Sequence, residues 1–191
     1  MKQIILQLPG WLCSGPGHWQ SQWEQQWGDQ RVEQVDWQQP LRGDWQIALQ
    51  EHMWSQQQDE AISTRFVLVA HGLACHLIAA WAAHSPHVDW VSAALLVAPP
   101  DLSPGQDLAA ALPTWSPPIL QTLPFPSVML SSDNDTYASP EASAKMAWAW
   151  GCAHQVLPQA GHLNAESGLG AWSQGRAVLN DLIDGIDNMK E

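Results

Sequence analysis

Three short segments hold residue types that together could perform acyl-group chemistry: "VAHGLACH" at 69–76, "SSDNDTYASPE" at 131–141 and "AGHLNAESGLG" at 160–170. The first is a small-residue turn between an apolar run, "RFVLVAH", and a helical pattern. The second supplies two carboxylates, Asp133 and Asp135, and the third supplies His162. A sharp strand-to-helix turn, a later acid and a still later histidine form the chain order of a nucleophile, orienting acid and general base. In such a set the nucleophile sits exposed on the tight turn, the histidine takes its proton, and the carboxylate fixes the imidazole and stabilises its charged form. Here the turn contains no serine. Three other side chains that could substitute are poorly placed. Cys75 lies three residues into the helix and is expected to be a buried apolar filler, while Cys13 and Ser14 lie on the loop after the first strand and carry no signature of activation.

Other chemistries fit worse. "GWLCSGPG" at 10–17 is glycine-rich and follows a strand, but its spacing is not that of a dinucleotide loop, and no Gly-Lys-Ser/Thr phosphate loop exists. His71 and His76 are five apart, and His84 and His87 three apart, so neither pair has the spacing of a zinc-binding helix. These histidines, with His18 and His52, are expected to be ordinary structural residues. Neither a metal nor a cofactor is expected.

The elements that must position the three segments follow from periodicity. Apolar runs at "QIILQLPG", "RVEQVDW", "RFVLVAH", "VSAALLVAPP", "SVMLSSDND" and "AHQVLPQAGH" alternate with helical patterns around 18–28, 44–57, 73–84, 140–150 and 172–186. This predicts a three-layer α/β/α sandwich with a mainly parallel sheet of about six strands, its strand ends gathered at one crevice. A Pro-rich connection at about 99–126 breaks the alternation and is expected to be lid-like or an irregular surface loop. Trp19, Trp23 and Trp27 recur every four residues, a helix face packed on the sheet, whereas Trp148 and Trp150 cannot share a face.

Composition narrows the setting. A chain of 191 residues is expected to form a single domain over 1–191. Seven Lys+Arg against 19 Asp+Glu give a net charge of -12, which repels phosphate backbones and anionic lipids, so neither nucleic acid nor a membrane is an expected partner. The run "MKQIILQLPGW" is too short for a signal-peptide core, and no apolar stretch has the length of a membrane span. Three cysteines without a Cys-x-x-Cys pair fit a reducing cytoplasm.

The segments "GPGHWQSQWE", "LVAHGLACHLIAAW", "LLVAPPD", "SSDNDTYAS" and "AGHLNAESGLGAW" span nearly the whole chain. Through them the protein resembles the YdeN-like, retinoblastoma-binding-protein-9-like small serine hydrolases, a compact branch of the α/β-hydrolase superfamily. The resemblance implies hydrolysis of a small ester, thioester or amide. It places the nucleophile position on Gly72, the acid on Asp135 rather than Asp133, and the base on His162, with backbone N–H groups of Trp11 and Leu73 as oxyanion donors. Two departures accompany Gly72: Ala74 stands where the family has glycine, and Thr136 where it often has proline. With no Oγ at position 72 the covalent route is closed. The expectation is a hydrolase of lost or weak activity, with a non-enzymatic pseudohydrolase that binds a small acyl ligand or a protein partner as the alternative.

Overall fold

The computed structural model describes residues 2–57 and 63–188. Six strands form one sheet: β1 (Lys2–Leu8), β2 (Gln30–Arg31), β3 (Thr64–His71), β4 (Val91–Val97), β5 (Ser127–Ser132) and β6 (Ala153–Leu157). Their order is β2-β1-β3-β4-β5-β6, and every neighbouring pair is parallel. The helices are α1 (Trp19–Trp27), α2 (Arg42–Gln56), α3 (Leu73–Ala82), α4 (Asp107–Ala111), α5 (Pro140–Trp150) and α6 (Ser173–Asn188).

Two apolar layers sandwich the sheet, because successive strand side chains point to opposite faces. Phe66, Leu68 and Ala70 of β3 pack with Leu49 and Met53 of α2, Leu77 of α3 and Trp150 of α5. Val67 and Val69, from the alternate positions, pack with Trp19 and Trp23 of α1 and Leu179 of α6. The expected three-layer α/β/α arrangement is therefore present. From β1 the chain moves outward to β2, and from β3 it moves the opposite way to β4, so the sheet reverses direction between β1 and β3. A crevice opens at such a reversal, beyond the carboxyl ends of the strands.

Some elements depart from the sequence pattern. The strand expected over 31–37 shrinks to Gln30–Arg31, which pair with Leu6 and Gln7 of β1. It lies at the sheet edge, and after Val32 N–H reaches Gln7 O (2.9 Å) the chain leaves the ladder. There the Asp36 carboxylate accepts the N–H groups of Gln38 and Gln39, turning the backbone. Trp19 and Trp23 are buried as expected, but Trp27 is 40 % exposed and lies under the Arg176 guanidinium, 4.6 Å from its ring centre. Trp148 is 85 % exposed while Trp150 is fully buried. The Pro-rich connection folds back on the sheet: it contains α4 and buries Leu112, Trp115, Leu123 and Phe125. Among the described residues no helix is long and apolar enough to cross a membrane.

Candidate active site

The turn after β3 is tied to its neighbour by Gly72 N–H donating to Val97 O of β4 (2.9 Å). Gly72 has φ +56° and ψ -123°, a conformation open to glycine and strained for a residue with a Cβ. A Cβ built there would have a single neighbour outside the turn within 4 Å, the Nε2 of His162 at 3.5 Å. Leu73 opens α3 immediately afterwards.

His162 is carried by the loop after β6, which several side chains hold in place. Ser132 Oγ accepts Ala160 N–H (2.9 Å), Asn134 Oδ1 accepts Gly161 N–H (2.8 Å), and the Trp19 indole N–H donates to Leu163 O (2.8 Å). The His162 Nδ1 lies 2.9 Å from Asp135 Oδ2 and 3.1 Å from Oδ1. Asp135, whose side chain is only 1 % exposed, also accepts Tyr137 N–H (2.9 Å). An ionised carboxylate only accepts, so the proton of neutral His162 is on Nδ1 and the lone pair of Nε2 faces Gly72. Asp133 is turned elsewhere and accepts the backbone and side-chain N–H groups of Gln159 (2.7 and 3.1 Å).

The loop after β1 closes the other side. A Cβ at Gly10 would fall 2.8 Å from His71 O and 3.4 Å from Leu73 N, so this close approach requires glycine. Leu12 and Cys13 follow with φ +68° and +66°, two consecutive strained residues held by Leu12 N–H to Trp37 O and Cys13 N–H to Gly10 O. The N–H groups of Trp11 and Leu73 have no acceptor among the described residues, and both residues line the same cavity. Two such donors on one cavity wall are chemically able to hold a negative charge that develops on an oxygen. The cavity measures about 350 Å³, and Leu108, Leu112 and Tyr137 give it an apolar wall. Leu108 and Leu112 come from the Pro-rich connection.

The alternative nucleophiles are occupied or remote. The Ser14 hydroxyl is buried and donates to Gln20 Oε1 (2.8 Å). Cys75 is buried in α3, and burial pushes its thiol far above the usual range. Cys13 lines the cavity, with its sulfur accepting from the Arg31 guanidinium (3.1 Å). Among the described residues no group of His, Cys, Asp or Glu is arranged to hold a metal ion.

Two residues of the cavity had no functional signal in the sequence. His18 and His71, expected to be ordinary, both line it, with ring centres 4.7 Å apart, and the His71 ring lies 4.9 Å from that of His162. The only clue to His18 is its position just before a tryptophan stripe, where it caps α1 by accepting Gln20 N–H. Trp19 is equally tied to the site. Trp19→Phe is expected to lower stability by about 2–3 kcal/mol in urea unfolding, because it leaves a cavity and an unpartnered Leu163 carbonyl.

A model of the family named "Serine hydrolase" matches residues 5–181. The chain belongs to the serine hydrolase family. Its fold is that of the YdeN-like hydrolases. A protein of Pectobacterium atrosepticum described as a YdeN-like hydrolase superposes with a TM-score of 0.78 at 24 % identity, covering 97 % of this chain and 92 % of that one. The ydeN product of B. subtilis gives 0.73 at 18 %, covering 96 % and 100 %. Esterase 2 of Thermogutta terrifontis, in a form phosphonylated by sarin, gives 0.71 at 18 %, covering 97 % and 84 %. No curated protein sequence matches the chain. At these identities the solved structures speak for the fold; in this serine hydrolase family member the residue at the turn after β3 is Gly72.

Proposed function

We propose that the cavity binds the acyl part of a small ester, thioester or amide, and that this chain hydrolyses it slowly through water instead of through a covalent intermediate. The observation that carries the reading is the Nε2 of His162 standing 3.5 Å from the place of a Cβ at position 72, backed by Asp135. A water in that place gives its proton to Nε2 while its oxygen bonds to the carbonyl carbon. The resulting oxyanion is held by the N–H groups of Trp11 and Leu73. Collapse of the intermediate breaks the bond to the leaving group, which takes the proton back from His162. Triads that lose their nucleophile retain roughly 10³-fold catalysis over water, and that sets the scale here.

A second reading, a binding protein without turnover, rests on Gly72 itself, which adopts the strained turn without a Cβ. In both readings the protein acts in the cytoplasm, where its three free cysteines stay reduced.

A fluorophosphonate probe tests the site. The wild-type protein is expected to remain unlabelled, since such probes report an activated serine, and Gly72→Ser is expected to be labelled at position 72 within minutes. Labelling of the wild type at Ser14 would overturn this reading, as would rapid alkylation of Cys13 by iodoacetamide accompanied by loss of turnover.

A further inference from the structure

Leu108 and Tyr137, two of the residues that give the acyl cavity its apolar wall, also line a second cavity of about 580 Å³, and among the described residues they alone are common to both. The two spaces therefore abut at this pair. At about 350 Å³ the acyl cavity lies near the lower end of the roughly 300–1,000 Å³ common for small-molecule sites, whereas the two joined would lie near the upper end. Their linings differ as well. Beyond the shared pair the second cavity meets chiefly polar side chains, Asp101, Gln106, Asp107 and Thr136.

Both halves of this partition are fixed from behind. Leu108 belongs to α4, where Ala109 beside it and Leu112 one turn on are buried, and the Leu112 N–H donates to Leu108 O (3.0 Å). Leu108 is itself partly buried and packs against the core. Tyr137 comes from the loop that carries Asp135. Its N–H donates to the Asp135 carboxylate (2.9 Å), its carbonyl accepts Asp101 N–H (2.8 Å), and its ring stands edge to face on that of His162, with centres 4.5 Å apart. An acyl chain that outgrows this wall has to displace packed side chains, and overfilling a packed site is unfavourable.

We propose that Leu108 and Tyr137 set the length of acyl chain the protein accepts, by closing the acyl cavity against the second one so that short chains fit and long ones are excluded. The inference rests on the acyl-site reading above and narrows its substrates to short-chain esters, thioesters or amides. Leu108 is the half that can be changed alone. Alanine is a good helix former, so Leu108→Ala removes the side chain while Ala109 and Leu112 keep α4 in place. Tyr137 is tied to the base through its ring, and its removal would disturb His162 as well.

Calorimetric titration with N-methyl alkanamides of two to eight acyl carbons, neutral and resistant to hydrolysis, tests the proposal. The N-methyl group keeps the leaving side small and constant. Each added methylene strengthens binding about fourfold when fully buried and about twofold when half-buried. In the wild type this gain is expected to stop within the series, with the octanamide binding no more tightly than the butanamide. Leu108→Ala is expected to bind the octanamide about tenfold more tightly than the wild type does, while the butanamide changes by less than about threefold. Leu108→Val, a smaller truncation, should show the same shift in lesser degree and decides the matter if the alanine variant does not fold. Affinity that climbs steadily to eight carbons in the wild type, or a profile identical in the wild type and a folded Leu108 variant, overturns the proposal and leaves the acyl site standing. If no member of the series binds, the acyl-site reading falls and the proposal with it.

Discussion

Gly72→Ser is expected to raise kcat for a short-chain p-nitrophenyl ester by roughly 10³-fold or more over the wild type. Removing the serine from a working triad costs roughly 10⁶ in kcat, and all the partners of that serine are assembled here. His162 presents the Nε2 lone pair to position 72, Asp135 holds Nδ1 at 2.9 Å, and the N–H groups of Trp11 and Leu73 have no acceptor among the described residues. A Cβ at position 72 meets nothing beyond the turn closer than 3.5 Å, an ordinary contact, so the added carbon needs no repacking. The backbone is the cost. At φ +56° a serine is strained, and the variant should lose about 1 kcal/mol of stability in urea unfolding. Turnover no faster than in the Gly72→Ser, His162→Ala double variant, in a protein that folds and binds substrate analogues, would sink the triad reading.

Stability is expected to fall steeply between pH 6.5 and about 4, before most carboxylates titrate. Burial pulls both His18 and His76 from 6.5 down to about 4, and His71 moves in the same direction. Above 6.5 these histidines are neutral in both states and contribute no pH dependence. Between the two values only the unfolded chain binds the proton, so stability declines as pH falls, by about 1.4 kcal/mol per pH unit for each histidine. Over that window His18 and His76 each remove about 3 kcal/mol, together enough to reach the lower end of the roughly 5–15 kcal/mol that stabilises a typical domain, and His71 acts in the same direction. His76 is 2 % exposed, its Nε2 donates to Pro100 O (2.8 Å), and its Nδ1 is buried without a hydrogen-bond partner among the described residues. His76→Gln keeps a donor for that carbonyl and cannot be charged. Urea unfolding across this pH range should show about one proton fewer taken up by the variant on unfolding. An unchanged slope would show that His76 is not among the groups responsible.

The sheet was legible because buried parallel strands are continuous apolar runs. β3 and β4 stand out as "RFVLVAH" and "VSAALLV", and both are buried along nearly their whole length. Helix starts were legible for local reasons too, as at α5, where Ser139 accepts Ala142 N–H and Pro140 takes the first turn. The segment 31–37 has the same local character as a strand, yet only its first residue, Arg31, joins the ladder, together with Gln30 before it. Whether an edge segment joins the ladder depends on what lies beside it and on where the chain must go next, and neither is encoded in its own periodicity.

The order of turn, acid and histidine along the chain, and the absence of a serine from the turn, could be read from residue types alone, because those types define the chemistry; assigning the nucleophile position to Gly72 took the family resemblance. Choosing between Asp133 and Asp135 could not, since the two residues share one loop and differ only in which way the folded backbone turns them. His18 and His71 were invisible for a stronger reason. The His71 contact to His162 O joins residues 91 apart in the chain, and the Trp19 contact that steadies the same loop joins residues 144 apart. Local sequence reports period, caps and turn chemistry. Which ring nitrogen keeps its proton, and which donors are left free to meet a ligand, is decided only when the strand ends are brought together and each backbone carbonyl or amide has taken its partner.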